Sequence, residues 1–105
     1  MNTRDLRGLD RLHHLHPFTD ARQMQDAGGT RLIVRGEGVH VYTDDGKRLL
    51  DGMAGLWCVN VGYGREELVR AAAEQMLELP YYNSFFQCSP AVTVELAAAL
   101  STLTP

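Results

Sequence analysis

Between Thr30 and Asp51 apolar side chains recur at every second position, and this alternation constrains the fold more than any other feature. Leu32 and Val34 alternate with Ile33 and Arg35, and Val39, Val41 and Thr43 alternate with His40 and Tyr42. A period of two places successive side chains on opposite faces of a strand. Gly36-Glu37-Gly38 turns the chain between the first two runs. Asp44-Asp45-Gly46-Lys47 separates the second run from the third, Arg48 to Asp51. Asp-Gly between two apolar runs predicts a type I′ hairpin, whose central residues both need positive φ. The expectation is a small antiparallel meander over 30–51.

The flanking segments follow a different rhythm. Leu6, Leu9, Leu12 and Leu15 sit among charges at a helical spacing, with Thr3 as N-cap and Pro17 as terminator. A polar stretch up to Gly28-Gly29 completes an N-terminal arm over 1–29. Beyond the meander, 52–105 reads as loop, helix, aromatic loop and helix. Glycines at 52, 55, 62 and 64 mark an irregular run that still carries Leu56, Trp57, Val59, Val61 and Tyr63. Loops normally lie in water, so this one needs a reason to be apolar. Leu68, Ala72, Met76 and Leu79 line one face of a helix predicted over 65–79, stopped by Pro80. Ser89 and Pro90 predict the N-cap and first turn of a last helix, with Val92, Leu96, Leu100 and Leu103 on its apolar face.

Composition removes several classes of function. A chain of 105 residues with 45% hydrophobic content suits one hydrophobic core. The net charge of −3 and pI near 5.7 argue against a nucleic-acid partner. The longest apolar run, from Met53 to Val59, falls far short of the roughly 20 residues that span a bilayer, so no membrane partner is expected. Charges throughout the first twenty residues leave no signal-peptide core. Cys58 and Cys88 suit a reducing cytoplasm, and their apolar neighbours predict inert, buried thiols.

Little classical chemistry is written in the chain. His13, His14 and His16 invite a metal reading, but no cysteine is near and no second histidine pair stands at ligand spacing. Exposed helix surface, and no metal, is the expectation there. Ser84 and Ser89 lack a nucleophile elbow. Gly62-Tyr63-Gly64 matches part of a phosphate fingerprint, yet it lacks the third glycine and runs into Glu66-Glu67. The informative residues are aromatic: Trp57 in its glycine-rich loop, and Tyr81, Tyr82, Phe85 and Phe86 between two helices. They either plug a local core or line a hydrophobic pocket.

Four stretches carry a family resemblance. The run Gly38 to Trp57, with its hairpin, Leu50-Asp51 and Ala54-Gly55-Leu56-Trp57, resembles the opening of class III pyridoxal-phosphate-dependent aminotransferases. Asn60 to Tyr63 is similar to the turn before that family's first long helix. Leu79-Pro80-Tyr81-Tyr82-Asn83-Ser84-Phe85-Phe86 is similar to the omega-amino-acid:pyruvate branch, and Pro17-Phe18-Thr19-Asp20 to its N-terminal arm. There are departures. Gly62-Tyr63 and Gly64-Arg65-Glu66 stand where many members have Gly-His and His-Pro. Gln87-Cys88 follows the paired phenylalanines where some relatives carry a basic residue for carboxylate recognition.

The resemblance implies an α+β segment of a fold type I transferase: a short antiparallel meander followed by two helices, one partial domain incomplete on its own. It implies transfer of an amino group from an amine or omega-amino-acid donor to a pyruvate-like acceptor, with pyridoxal 5′-phosphate as cofactor. Phe18, Leu56 and Trp57 would line the substrate pocket, and Phe85 and Phe86 would reach the neighbouring subunit's site in a homo-oligomer. No catalytic residue is expected within the chain. Its single lysine, Lys47, follows Asp45-Gly46 in a turn, where solvation keeps the amine charged, so the isolated chain is expected to be inactive. The alternative is a non-catalytic interaction or dimerisation module that uses the same aromatic surface.

Overall fold

The computed structural model describes residues 3–105, with side chains from residue 6 onward. In chain order the elements are α1 (Thr3–His13), α2 (Ala21–Asp26), β1 (Ile33–Glu37), β2 (His40–Thr43), β3 (Arg48–Leu50), α3 (Ala54–Trp57), α4 (Glu66–Glu78) and α5 (Ala91–Ser101). They form two units that divide between Arg65 and Glu66.

The first unit is built on the expected meander, a three-stranded antiparallel sheet in the order β1-β2-β3. Glu37 pairs with His40 and Ile33 with Thr43, with an irregularity between Ile33 and Arg35; His40 pairs with Leu50 and Tyr42 with Arg48. The second turn differs from the type I′ expectation. Gly46 takes φ 83°, whereas Asp45 has no positive φ. The Gly46 N–H donates to the Thr43 carbonyl at 3.0 Å, and the Thr43 N–H donates to the Lys47 carbonyl at 3.0 Å. The cause is local: the Thr43 hydroxyl donates to the Asp45 carboxylate and accepts from the Lys47 N–H at 3.1 Å. Those bonds hold Asp45 on the ordinary side of φ, and one glycine takes the left-handed position.

Arg7 ties α1 to this sheet. Its guanidinium donates to Asp44 at 2.7 Å and to the Thr30 carbonyl at 3.4 Å. The predicted Thr3 cap lies outside the described side chains. Within the polar stretch after Pro17 the chain forms α2, which the spacing of apolar residues did not reveal. Asp20 is its N-cap and accepts from the Gln23 N–H at 3.0 Å. Gly28 and Gly29, at φ 99° and 87°, close it, the Gly29 N–H reaching the Met24 carbonyl at 2.9 Å.

In the second unit α4 and α5 are the two predicted helices. Pro90, not Ser89, is the N-cap of α5, with φ −64° and ψ 140° and no capping side chain. The Ser89 hydroxyl is directed to the Pro90 carbonyl instead, at 3.5 Å.

Among the described residues no hydrophobic side chain is buried, and Thr43 is the buried residue, at 5% exposure. Neither α4 nor α5 has a buried residue, although α5 is apolar nearly all round. No helix among the described residues is long and apolar enough to cross a membrane.

Candidate functional site

The glycine-rich loop over 52–64 leaves β3 and is pinned at both ends. Asp51 holds the first end: its carboxylate accepts from the Gly55 N–H at 2.8 Å, the Met53 N–H at 3.3 Å and the Tyr63 hydroxyl at 2.6 Å. Tyr63 holds the second end through a two-bond bridge to Gly38, at 3.1 Å and 2.8 Å. Its ring lies over Gly36, where a Cβ would meet ring carbons at 2.6 Å. Asp51 and Tyr63 shift each other's ionisation. The Tyr63 hydroxyl, then the Gly55 and Met53 N–H groups, keep the Asp51 carboxyl below its ordinary value, while Asp51 raises the phenol of Tyr63. A cleft of about 330 Å³ lies here, lined by Asp51, Ala54, Val59, Val61 and Tyr63 among others.

Between these pins the backbone is strained. Ala54, Leu56 and Trp57 take φ of 49°, 58° and 70°, and Gly55 lies between them at 58°. For a residue with a Cβ the left-handed region costs roughly 1–2 kcal/mol. The other non-glycine residues at positive φ, among those described, are Phe18 at 50°, Phe86 at 54° and Gln87 at 63°. Four of the five side chains predicted to line a pocket, Phe18, Leu56, Trp57 and Phe86, are therefore in this short set of outliers. Such strain concentrates where function demands a particular presentation of side chains.

The same residues stand open. Trp57 is 83% exposed and Leu56 64%, so Trp57 plugs no local core. Phe18 is fully exposed. In the second unit Phe85 and Phe86 meet edge to face, ring centroids 5.0 Å apart, on a turn fixed by the Phe85 N–H donating to Asn83 at 3.1 Å. The structure thus joins Leu56 with Trp57, and Phe85 with Phe86, as two exposed apolar groups. Cys58 and Cys88 border these groups and are exposed, contrary to the buried thiols predicted; each S–H is directed to a carbonyl two residues back.

A covalently attached cofactor does not fit the residues present. The Lys47 amine is 73% exposed and paired with Asp45 at 2.8 Å, which helps hold that carboxyl at about 2. An amine so open to solvent lacks the desolvated setting that a covalent attachment lysine needs. Nor does the Gly62-Tyr63-Gly64 turn cradle a phosphate. The Gly62 N–H is spent on the Val59 carbonyl at 3.2 Å, the Tyr63 N–H on Gly38, and α4 opens on Glu66 and Glu67.

Away from the loop, the histidine-rich stretch contains a partnership that the sequence reading missed. Asp10 lies one helical turn before His14 and accepts from both His14 and His16. Its signal in the sequence is the carboxylate four residues before His14.

The model of the family described as aminotransferase class-III matches residues 23–105. The putrescine–pyruvate aminotransferase of Pseudomonas aeruginosa is 54% identical over 103 residues, 98% of this chain and 22% of that protein. A thermostable (S)-enantioselective omega-transaminase from Thermomicrobium roseum matches at a TM-score of 0.93 and 48% identity, over 100% of this chain and 23% of that one. The omega transaminase from Pseudomonas jessenii in complex with PMP matches at 0.89 and 40% identity, over 95% of this chain and 22% of that one. A tryptophan-to-glycine variant of the latter was engineered for asymmetric synthesis of enantiopure bulky amines. The chain thus spans less than a quarter of the length of these relatives.

Proposed function

This chain belongs to the class-III aminotransferase family, and we propose that it forms the N-terminal part of a transaminase that moves an amino group from an amine or omega-amino acid to pyruvate. Its contribution is a pocket wall. Phe18, Leu56 and Trp57 face the substrate, and Phe85 and Phe86 complete the site of a neighbouring subunit in a homo-oligomer. The observation that carries this reading is the coincidence of left-handed backbone and exposure at Phe18, Leu56, Trp57 and Phe86. Apolar walls position an amine by exclusion and contact, and drive water from the reacting groups. A tryptophan exchanged for glycine in an omega transaminase engineered for bulky amines supports a tryptophan as pocket wall in such enzymes, the part assigned here to Trp57.

Pyridoxal phosphate, which the family resemblance implies, has no attachment lysine among the described residues, so the chain alone is inactive on this reading. Two free thiols agree with a cytoplasmic protein, because reducing compartments maintain that state. The test is amine-dependent conversion of pyruvate to alanine by the natural protein and its Trp57→Gly variant. The variant is expected to raise kcat/KM for a bulky amine relative to putrescine, and an unchanged ratio would remove Trp57 from the pocket. The second reading, a non-catalytic interaction or dimerisation module, is favoured by the large apolar surface. A natural protein that oligomerises through this surface yet transfers no amino group would establish it.

A further inference from the structure

The end of α1 brings together three potential metal ligands from an element that the pocket reading does not use. The helical bond from the His14 N–H to the Asp10 carbonyl, 2.9 Å long, sets both side chains on one face. After His13 the chain leaves the helix, and His16 folds back onto the same carboxylate. His14 Nδ1 lies 2.9 Å from Asp10 Oδ1, and His16 Nε2 lies 2.9 Å and 3.0 Å from the two carboxylate oxygens. The three candidate ligand atoms all fall within 4.8 Å of one another, and the two imidazole rings are 4.2 Å apart.

We propose that Asp10, His14 and His16 form a site for one divalent transition-metal ion of the zinc class at the end of α1. Two imidazoles and one carboxylate are a ligand set that Zn²⁺ accepts, with bonds of about 2.0–2.2 Å and a fourth position left to water. In tetrahedral geometry such ligand atoms stand about 3.3 Å apart. The two contacts to Asp10 open by a few tenths of an ångström to reach that spacing. The two imidazole nitrogens, up to 4.8 Å apart, close by as much as about 1.5 Å, through rotation of the exposed His14 ring. Asp10 and His16 are sheltered, at 12% and 22% side-chain exposure, while His14 at 59% faces solvent and leaves the open position on that side. Without the cation each imidazole donates its N–H to Asp10. On binding, that nitrogen gives its lone pair to the metal and its proton passes to the other ring nitrogen or to water. An ion held there would cross-link α1 to the turn that carries Phe18.

The experiment is calorimetric titration of Zn²⁺ into the natural protein without a polyhistidine tag, with Co²⁺ as the spectroscopic probe. The expected result is one ion per chain, with a cobalt spectrum that lacks thiolate charge transfer. His16→Ala lies outside the helix and leaves its fold alone; it is expected to weaken binding at least about tenfold, as is Asp10→Asn. His13→Ala, an imidazole beside the cluster, is expected to leave affinity unchanged. Absence of saturable binding, undiminished binding in His16→Ala, an equal loss in His13→Ala, or a thiolate band from Cys58 or Cys88 would each overturn the site.

Discussion

At the level of single residues, Asp51 and Tyr63 decide how Trp57 is presented, and their ionisation gives a two-sided pH prediction. The Asp51 pKa is below its ordinary 3.8, so its contribution is present above the unfolded-state value and is lost as pH falls through the folded one. The Tyr63 pKa is above 10.0, so its contribution is full below that value and is lost as pH rises through the folded one. Fluorescence of Trp57 should therefore be flat between about pH 4 and pH 10 and change at both ends. Tyr63→Phe should remove the alkaline limb and move the acid limb upward, part of the lowering remaining with the Gly55 and Met53 N–H groups. Trp57 itself carries a second prediction. At 83% exposure its truncation should not cost the roughly 3–5 kcal/mol of a buried aromatic. Because it sits at φ 70°, Trp57→Gly should be more stable in urea than Trp57→Ala by about 1 kcal/mol. Equal stabilities would mean that the loop relaxes on truncation.

Among the elements, the sheet and the loop meet at Gly36, where any Cβ would collide with the Tyr63 ring. Gly36→Ala should cost about 1–3 kcal/mol in chemical denaturation, the usual range for overpacking. It should also release the bridge between Gly38 and Tyr63, seen as faster amide exchange at both residues. The meander was legible because a period of two over three runs has a single structural meaning, and α4 because its apolar stripe runs for several turns. The six-residue α2 was not legible by periodicity, since its evidence is an Asp20 cap three residues before Gln23. The turn at Asp45 was misread because a side-chain bond to Thr43 outweighed the general preference of Asp-Gly.

For the molecule as a whole, the deciding observation is that no hydrophobic side chain among the described residues is buried. Contiguous apolar patches of more than a few hundred Å² mark interfaces, and α5 with its nearly complete apolar girth belongs inside one. The 105-residue chain should therefore self-associate, giving a dimer or larger species in light scattering, and a monomer at high concentration would contradict this. From the sequence alone came the sheet, the two long helices, the aromatic positions and the family resemblance, because periodicity, turn chemistry and local motifs are short-range properties of the chain. The exposure of every apolar side chain among the described residues to at least intermediate degree, the left-handed backbone at Phe18, Leu56, Trp57 and Phe86, the exposure of both thiols and the meeting of Asp10 with His16 were decided by tertiary structure. The physical reason is that burial, strain and ligand convergence depend on which surfaces meet, and an apolar residue has the same pattern whether its cover comes from its own chain or from elsewhere.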